Sequence, residues 1–386
     1  MDTSSRVHGM SASPGKRVLI VEPRERGHLL VYVRLIALRA LERGLDVTVA
    51  LAPGASASRE YRTHLSGLAE SVRFVDSPVV LTPRSLNRLT RNVSTDLMVV
   101  PHGDELAARL GGLVGGRLET PTRILIMRDP KWDRQPGKRP PARNLVKSVL
   151  LQLGSRRKNA QVVWLRGPAH EPGRNERYAL DPFISDSSVD EICERAESLR
   201  LRMTTDADVF WFGVTGAVST RKNLGLVVES LLLLHARRPD VLLGLAVVGP
   251  IDAQVLGVFE KSKIALASQG IATYFENRLL ANEEMNDVVA AVDAVVMAYS
   301  TNAPNSTLGK AYVLGTKIVS AGSAVFREHA QHLGGSVAAL DAHDLSVAME
   351  ASVRQPSRLV RPGVLSSDDF ADKVMGDEAD DRRSTP

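Results

Sequence analysis

Two polar loops in the second half of the chain hold residue types that bind an anion: VTGAVSTRKN at residues 214–223 and STNAPNSTLGK at residues 300–310. Each follows an apolar run and precedes a helical pattern, so the unpaired first N–H groups of a helix meet a nearby cation. Arg221, Lys222 and Lys310 supply the cations, and Asn305, Ser306 and Thr307 open or cap the second of these helices. Such a combination makes a cradle for a diphosphate. Neither loop is a Walker motif, and an ordinary capped turn is the plain alternative for each. A second set suits proton transfer: His28, His102 and Asp104 are titratable and sit in loops after apolar runs, as do Gly27 and Arg128. The triplet Asp206-Ala-Asp208 precedes a strand instead of following one, which predicts a solvated loop and no metal site. HExxH and GxSxG patterns are absent from the sequence.

These loops need a sheet to hold them. Residues 294–297 and 317–320 are short, β-branched-rich runs of the kind found in parallel strands buried on both faces. In open α/β sheets a loop at the carboxyl end of such a strand is where ligands sit. The alternation extends along the chain. A strand at 18–21, a helix at 29–43 closed by Gly44 and a strand at 46–51 form a first βαβ unit. Its turn, EPRERGH, holds one glycine where a dinucleotide fingerprint needs three, which disfavours a dehydrogenase. Further strands are predicted at 72–75, 97–100, 123–127 and 161–165, with helices at 56–69, 83–91 and 145–153. The second half predicts helices at 189–201, 224–236, 255–269, 282–291, 323–333 and 342–353 around strands at 209–214, 242–248 and 272–275. The resulting segments are a disordered N-terminus (1–16), two α/β domains (17–186 and 187–353) and a C-terminal segment with a polar tail (354–386), part of which crosses back.

One cysteine, Cys193, rules out internal disulfides and cysteine-based zinc clusters, and together with the lack of an 18-residue apolar run or signal peptide predicts a cytoplasmic protein. The net charge of +5 is unevenly placed, with 15 Lys and Arg against 5 Asp and Glu between residues 117 and 177. That bias predicts an anionic partner, and the absence of aromatic and basic interleaving turns the expectation from nucleic acid to the inner membrane surface.

The order FGVTGAVSTRKNLGLVVESL, LAVVGP, LLANEEMNDVVAAVDAVVMAY and then residues 294–322 resembles the carboxyl-terminal domain of family 4-like glycosyltransferases of the B-type (GT-B) fold, over residues 209–340. The first half is similar more loosely, through the Gly27-His28 turn and the run DLMVVPHGD at 96–104. The resemblance implies two Rossmann-like domains with parallel sheets facing a central cleft, a nucleotide-sugar donor on the second and a hydroxyl acceptor, such as a lipid-linked one, on the first. It implies sugar transfer in cell-surface glycan or glycolipid assembly, with no cofactor or metal. The alternatives are a non-catalytic module binding nucleotide or partner, and an epimerase or hydrolase on the same fold. By matched position Lys222 stands for the lysine that contacts the donor phosphates, while the usual arginine five residues earlier falls at Ala217. Two family glutamates, one of which binds the donor ribose, fall at Asn302 and Lys310, so Lys310 is expected to join Lys222 on the diphosphate or to extend into water. His102 lies near the first-domain histidine, and Gly27 and Arg128 fall on the acceptor side.

Overall fold

The computed structural model describes residues 15–24, 29–112, 116–127, 142–170, 176–204, 206–301, 306–356, 360–361 and 363–376. The first half runs β1 (Arg17–Glu22), α1 (Leu29–Glu42), β2 (Asp46–Leu51), α2 (Arg59–His64), β3 (Arg73–Asp76) and α3 (Pro83–Val93). It continues with β4 (Leu97–Val100), α4 (Asp104–Gly111), β5 (Thr122–Ile126), α5 (Ala142–Ser155), β6 (Ala160–Arg166) and β7 (Tyr178–Leu180). The second half runs α6 (Val189–Met203), β8 (Phe210–Thr215), α7 (Leu224–Arg237), β9 (Leu243–Val248), α8 (Ala253–Ser268) and β10 (Ala272–Glu276). Then come α9 (Asn282–Ala291), β11 (Ala294–Tyr299), α10 (Ser306–Leu314), β12 (Lys317–Gly322), α11 (Ala324–His332), β13 (Ser336–Ala338), α12 (Ala342–Arg354) and α13 (Ser367–Met375).

Two sheets result, one with the order β3-β2-β1-β4-β5-β6-β7 and one with the order β10-β9-β8-β11-β12-β13. Pairing from β3 through β6 is parallel, and so is every pairing of the second sheet. In both, the order reverses beside the first strand, which creates the switch point where an α/β sheet offers a crevice at its carboxyl edge. Central strands are apolar along their length because helices cover both faces: β9 and β11 are buried at every residue. The core of the second sheet lies on both sides of it, with Phe212, Leu245 and Val319 on one side and Trp211, Val295 and Ile318 on the other.

The chain folds into two compact units, Met1–Met127 with Val149–Trp164 and Ala371–Pro386, and Arg128–Ser148 with Leu165–Phe370. The last described residues join the first unit through polar contacts: the Arg39 guanidinium reaches Asp372 at 2.7 Å and Arg123 Nε donates to the Met375 carbonyl at 3.1 Å. Residues 183–186, read from sequence as the end of the first half, pack within the second unit, where Phe183 N donates to Leu365 O at 2.9 Å. The helix expected at 56–69 is broken into two short 3-10 turns around α2, because Gly54, Ser58 and Gly67 punctuate it. Asp104, expected in a loop, is the first residue of α4.

Candidate functional site

At the carboxyl end of β8 the chain turns through Gly216, whose φ of +76° is left-handed, and then makes a short 3-10 turn, Thr220–Lys222. Gly249, after β9, packs so closely that a Cβ there would lie 2.5 Å from the Gly216 carbonyl oxygen, so only glycine fits this crossing. Asn223 ends the turn in a left-handed conformation and opens α7, its side-chain Nδ2 donating to Ala298 O at 2.8 Å and Arg221 O at 3.1 Å. Those bonds tie the loop after β8 to the end of β11.

This turn sends its two cations in different directions. Arg221 is half-buried, with its guanidinium carbon 5.5 Å from the centre of the Tyr299 ring. Lys222 is buried at 4% exposure, and its Nζ donates to the Thr215 carbonyl oxygen. Among the described residues that carbonyl is the only acceptor it has, against three N–H donors. Burial pushes its proton affinity down to about 7, and the positive charge of Arg221 adds to the effect. The start of α10 lies beside the same strand end: Thr307 is buried, with Oγ1 3.4 Å from Thr215 Oγ1, and Ser306 is exposed as the first helical residue. Arg221, Lys222, Ser306 and Thr307 are thus gathered at one edge of the second sheet, as their spacing suggested.

Lys310 is placed otherwise. Its sequence context offered a phosphate or water as its destination, and the structure gives a third. It lies in the second turn of α10 at 5% exposure and donates to the side-chain oxygens of Asn282, at 2.9 Å, and Asn286. Both asparagines donate in turn to the Ile184 carbonyl, at 2.5 and 3.0 Å, and the Phe183 ring centre is 5.7 Å from the ammonium. Burial lowers its proton affinity to about 8, opposed by the charges of Glu283 and Asp181. Glu283 also accepts from Ser185 Oγ at 2.8 Å and Asp186 N at 2.9 Å, so residues 183–186 are fastened to α9 from two sides.

In the first unit, the carboxyl end of β1 carries a residue that the sequence patterns did not single out. Glu22 is 1% exposed; its Oε1 accepts from Arg24 N at 3.0 Å and, among the described residues, its Oε2 has no hydrogen-bond partner. Desolvation pushes its carboxyl up to about 8, against the lowering effect of the Arg24 amide and charge. The available signal was an acid ending an otherwise apolar strand, RVLIVE. Nearby, Arg24 Nη1 is 3.3 Å from His102 Nδ1 and Nη2 donates to Glu105 at 2.8 Å. Because a guanidinium only donates, His102 Nδ1 is the acceptor there and its proton sits on Nε2. Asp104 is buried and accepts from Met127 N at 3.0 Å, a bridge from the start of α4 to the end of β5. Gly27, His28, Arg128 and Asn305 lie outside the described residues. Asp206 and Asp208 are exposed, and among the described residues no group of His, Cys, Asp and Glu gathers as a metal site would require.

No family model matches the chain, and no curated protein matches it. Solved structures do. Anabaena HepE in complex with UDP superposes at a TM-score of 0.57 with 14% identity, covering 93% of this chain and 95% of that one. The sucrose-phosphate synthase of Thermosynechococcus elongatus gives 0.56 with 13% identity over 93% and 94%. WaaG, a glycosyltransferase involved in lipopolysaccharide biosynthesis, gives 0.56 with 14% identity over the same shares. The two Rossmann-like sheets of this chain have the GT-B fold.

Proposed function

We propose that this protein is a glycosyltransferase, moving a sugar from a nucleotide-diphosphate sugar to a hydroxyl acceptor. The observation that carries the reading is Lys222, a buried ammonium at the carboxyl edge of the second sheet with one carbonyl for its three donors. Burying such an ion costs on the order of several kcal/mol, which the oxygens of a diphosphate would offset. The fold supports the choice of ligand, since HepE was solved with UDP and with UDP-glucose. In the transfer the acceptor oxygen bonds to the sugar's anomeric carbon and the bond from that carbon to the diphosphate breaks. Lys222 and the N–H groups that open α7 and α10 stabilise the charge on the departing diphosphate, with Arg221, Ser306 and Thr307 flanking it. We assign no metal to this work, so binding is expected to survive EDTA.

The acceptor side is assigned to the first unit, where His102, Arg24 and buried Glu22 stand at a sheet's carboxyl edge. A lipid-linked acceptor on the inner membrane surface suits α5, whose Leu145, Val146, Val149 and Leu153 are exposed and which is followed by Arg156, Arg157 and Lys158. Among the described residues no helix is long and apolar enough to cross a membrane. A non-catalytic nucleotide-binding module is favoured by one observation, the inward-facing Lys310 at a position where the resemblance places a carboxylate. A thermal-shift screen of UDP, thymidine diphosphate, GDP and ADP tests the first reading: a ligand at 100 times its Kd stabilises by about 2.7 kcal/mol. Nucleotide release from the matching sugar nucleotide then separates enzyme from module. No stabilisation by any of the four would overturn both.

A further inference from the structure

We infer that the nucleotide's diphosphate enters this site together with a proton, which Lys222 takes up from solvent, so that ligand binding and protonation of this lysine are one event. This deepens the glycosyltransferase reading and rests on it for the ligand. The geometry behind it is a shortage of acceptors. The ammonium is buried and meets one backbone carbonyl, that of Thr215, while a Cβ on Gly216 would stand 3.5 Å from its Nζ and 3.9 Å from the Met285 methyl.

Among the described residues, the elements around it supply no compensating charge. On its own turn, Arg221 is of like sign and lies over Tyr299 of β11. From α9, Glu283 is taken by Ser185 and Asp186, Glu284 by Arg278, and Asp287 by Arg195. From α10 come the Thr307 hydroxyl and Lys310, whose ammonium is already received by the two asparagines. Glu229 of α7 and Asp252 before α8 are exposed. A charge so placed is disfavoured until an anion arrives, in keeping with a proton affinity lowered to about 7. An anion that contacts the ammonium favours the charged form and raises that affinity again, so a lysine neutral above pH 7 gains a proton on binding. Lys310 is the internal contrast, since the amide oxygens that hold it are protein groups present with or without ligand.

The test is titration calorimetry with UDP in two buffers of different ionisation enthalpy, using wild type and Lys222→Arg, whose guanidinium stays charged. The wild type is expected to take up about 0.9 proton per UDP at about pH 8 and about 0.1 at about pH 6 beyond what Lys222→Arg takes up. Its affinity should fall close to tenfold per pH unit above about pH 8, while that of Lys222→Arg stays level. Should the arginine variant fail to fold, net uptake of about 0.9 proton per UDP at about pH 8 in the wild type decides, because UDP is fully ionised there and takes up no proton of its own when it binds in that form. Binding of UDP with no net proton uptake at about pH 8, or with the same uptake in both proteins, overturns this inference and leaves the glycosyltransferase reading standing. No binding of UDP, thymidine diphosphate, GDP or ADP by the wild type overturns that reading, and this inference with it.

Discussion

Lys222 and Lys310 are both buried lysines on elements that follow strands of one sheet, yet their surroundings differ in kind. Lys310 has two amide oxygens, a ring and the fields of Glu283 and Asp181, and so behaves as a fastener between α10, α9 and residues 183–184. Lys222 has, among the described residues, one carbonyl and a like-charged neighbour, which suits the binding role proposed for it. Taking a buried charge away from partners inside the protein leaves them unpaired and weakens the fold, whereas a buried charge that lacks such partners marks where a partner from outside is expected.

Removing each charge should therefore move a different observable. Lys222→Met is expected to weaken UDP binding by about 3 kcal/mol, roughly a hundredfold. The same change should leave unliganded stability level or raised, because it removes a poorly compensated buried ion. Parallel UDP titration and urea unfolding read the two quantities, and a destabilised protein with normal UDP affinity would reverse the assignment. Lys310→Met should do the opposite, costing about 2 kcal/mol of stability by leaving the oxygens of Asn282 and Asn286 unpaired, with UDP affinity changed less than tenfold. Lys310→Glu places an acid beside Glu283 and those oxygens, so it should unfold more readily still. If either Lys310 variant loses UDP binding while unfolding at the wild-type urea midpoint, Lys310 is a phosphate ligand after all.

The difference between the two lysines was only half legible in the sequence. The strands that carry both loops stand out as apolar runs, and Lys222 lies close behind its own strand, so local spacing alone puts it at the sheet's carboxyl edge. The fate of Lys310 depends on asparagines 24 and 28 positions earlier, on a helix whose packing against α10 no local pattern reports. Glu22 was missed for a related reason, since a terminal acid on a strand reads as exposed until the elements around it are in place. β7 and β13, three residues each, are too short for a period to show, and α13 offers only Phe370, Ala371, Val374 and Met375 as its apolar face. The fold was readable because parallel strands buried on both faces announce themselves, while partners distant in the chain do not.

A smaller effect contrasts Lys222 with Glu22, whose shifts have opposite sign in pH. The folded Glu22 holds its proton up to about 8 and the unfolded chain releases it near an ordinary 4.5, so its contribution makes stability fall as pH rises between those values. Folded Lys222 releases its proton at about 7 against an ordinary 10.5, so its contribution makes stability rise with pH across that span. Each slope is at most about 1.4 kcal/mol per pH unit. Hydrogen exchange resolves the two, followed on β1 and β2 amides for the first unit and on β8 and β9 amides for the second. Glu22→Gln should flatten the falling limb in the first unit only, and Lys222→Met the rising limb in the second only. A limb that persists in its variant would assign the titration to another group.

The smallest expected effect belongs to Arg221, and it tests whether this neighbour acts on the ligand or on Lys222. Its guanidinium lies over the Tyr299 ring, and its charge lowers the proton affinity of Lys222. Arg221→Met keeps an apolar stem against the ring while removing that charge. Lys222 should then hold its proton to a higher pH, so proton uptake on UDP binding at about pH 7.5 should decrease. The affinity itself should shift by less than about 1 kcal/mol, because relief of Lys222 partly offsets the loss of a cation near the anion. An arginine that contacts the diphosphate directly would behave differently, since its removal would cost roughly tenfold or more in affinity with proton uptake unchanged. Calorimetry on this one variant, in two buffers, therefore tells a residue that tunes Lys222 from one that shares its ligand.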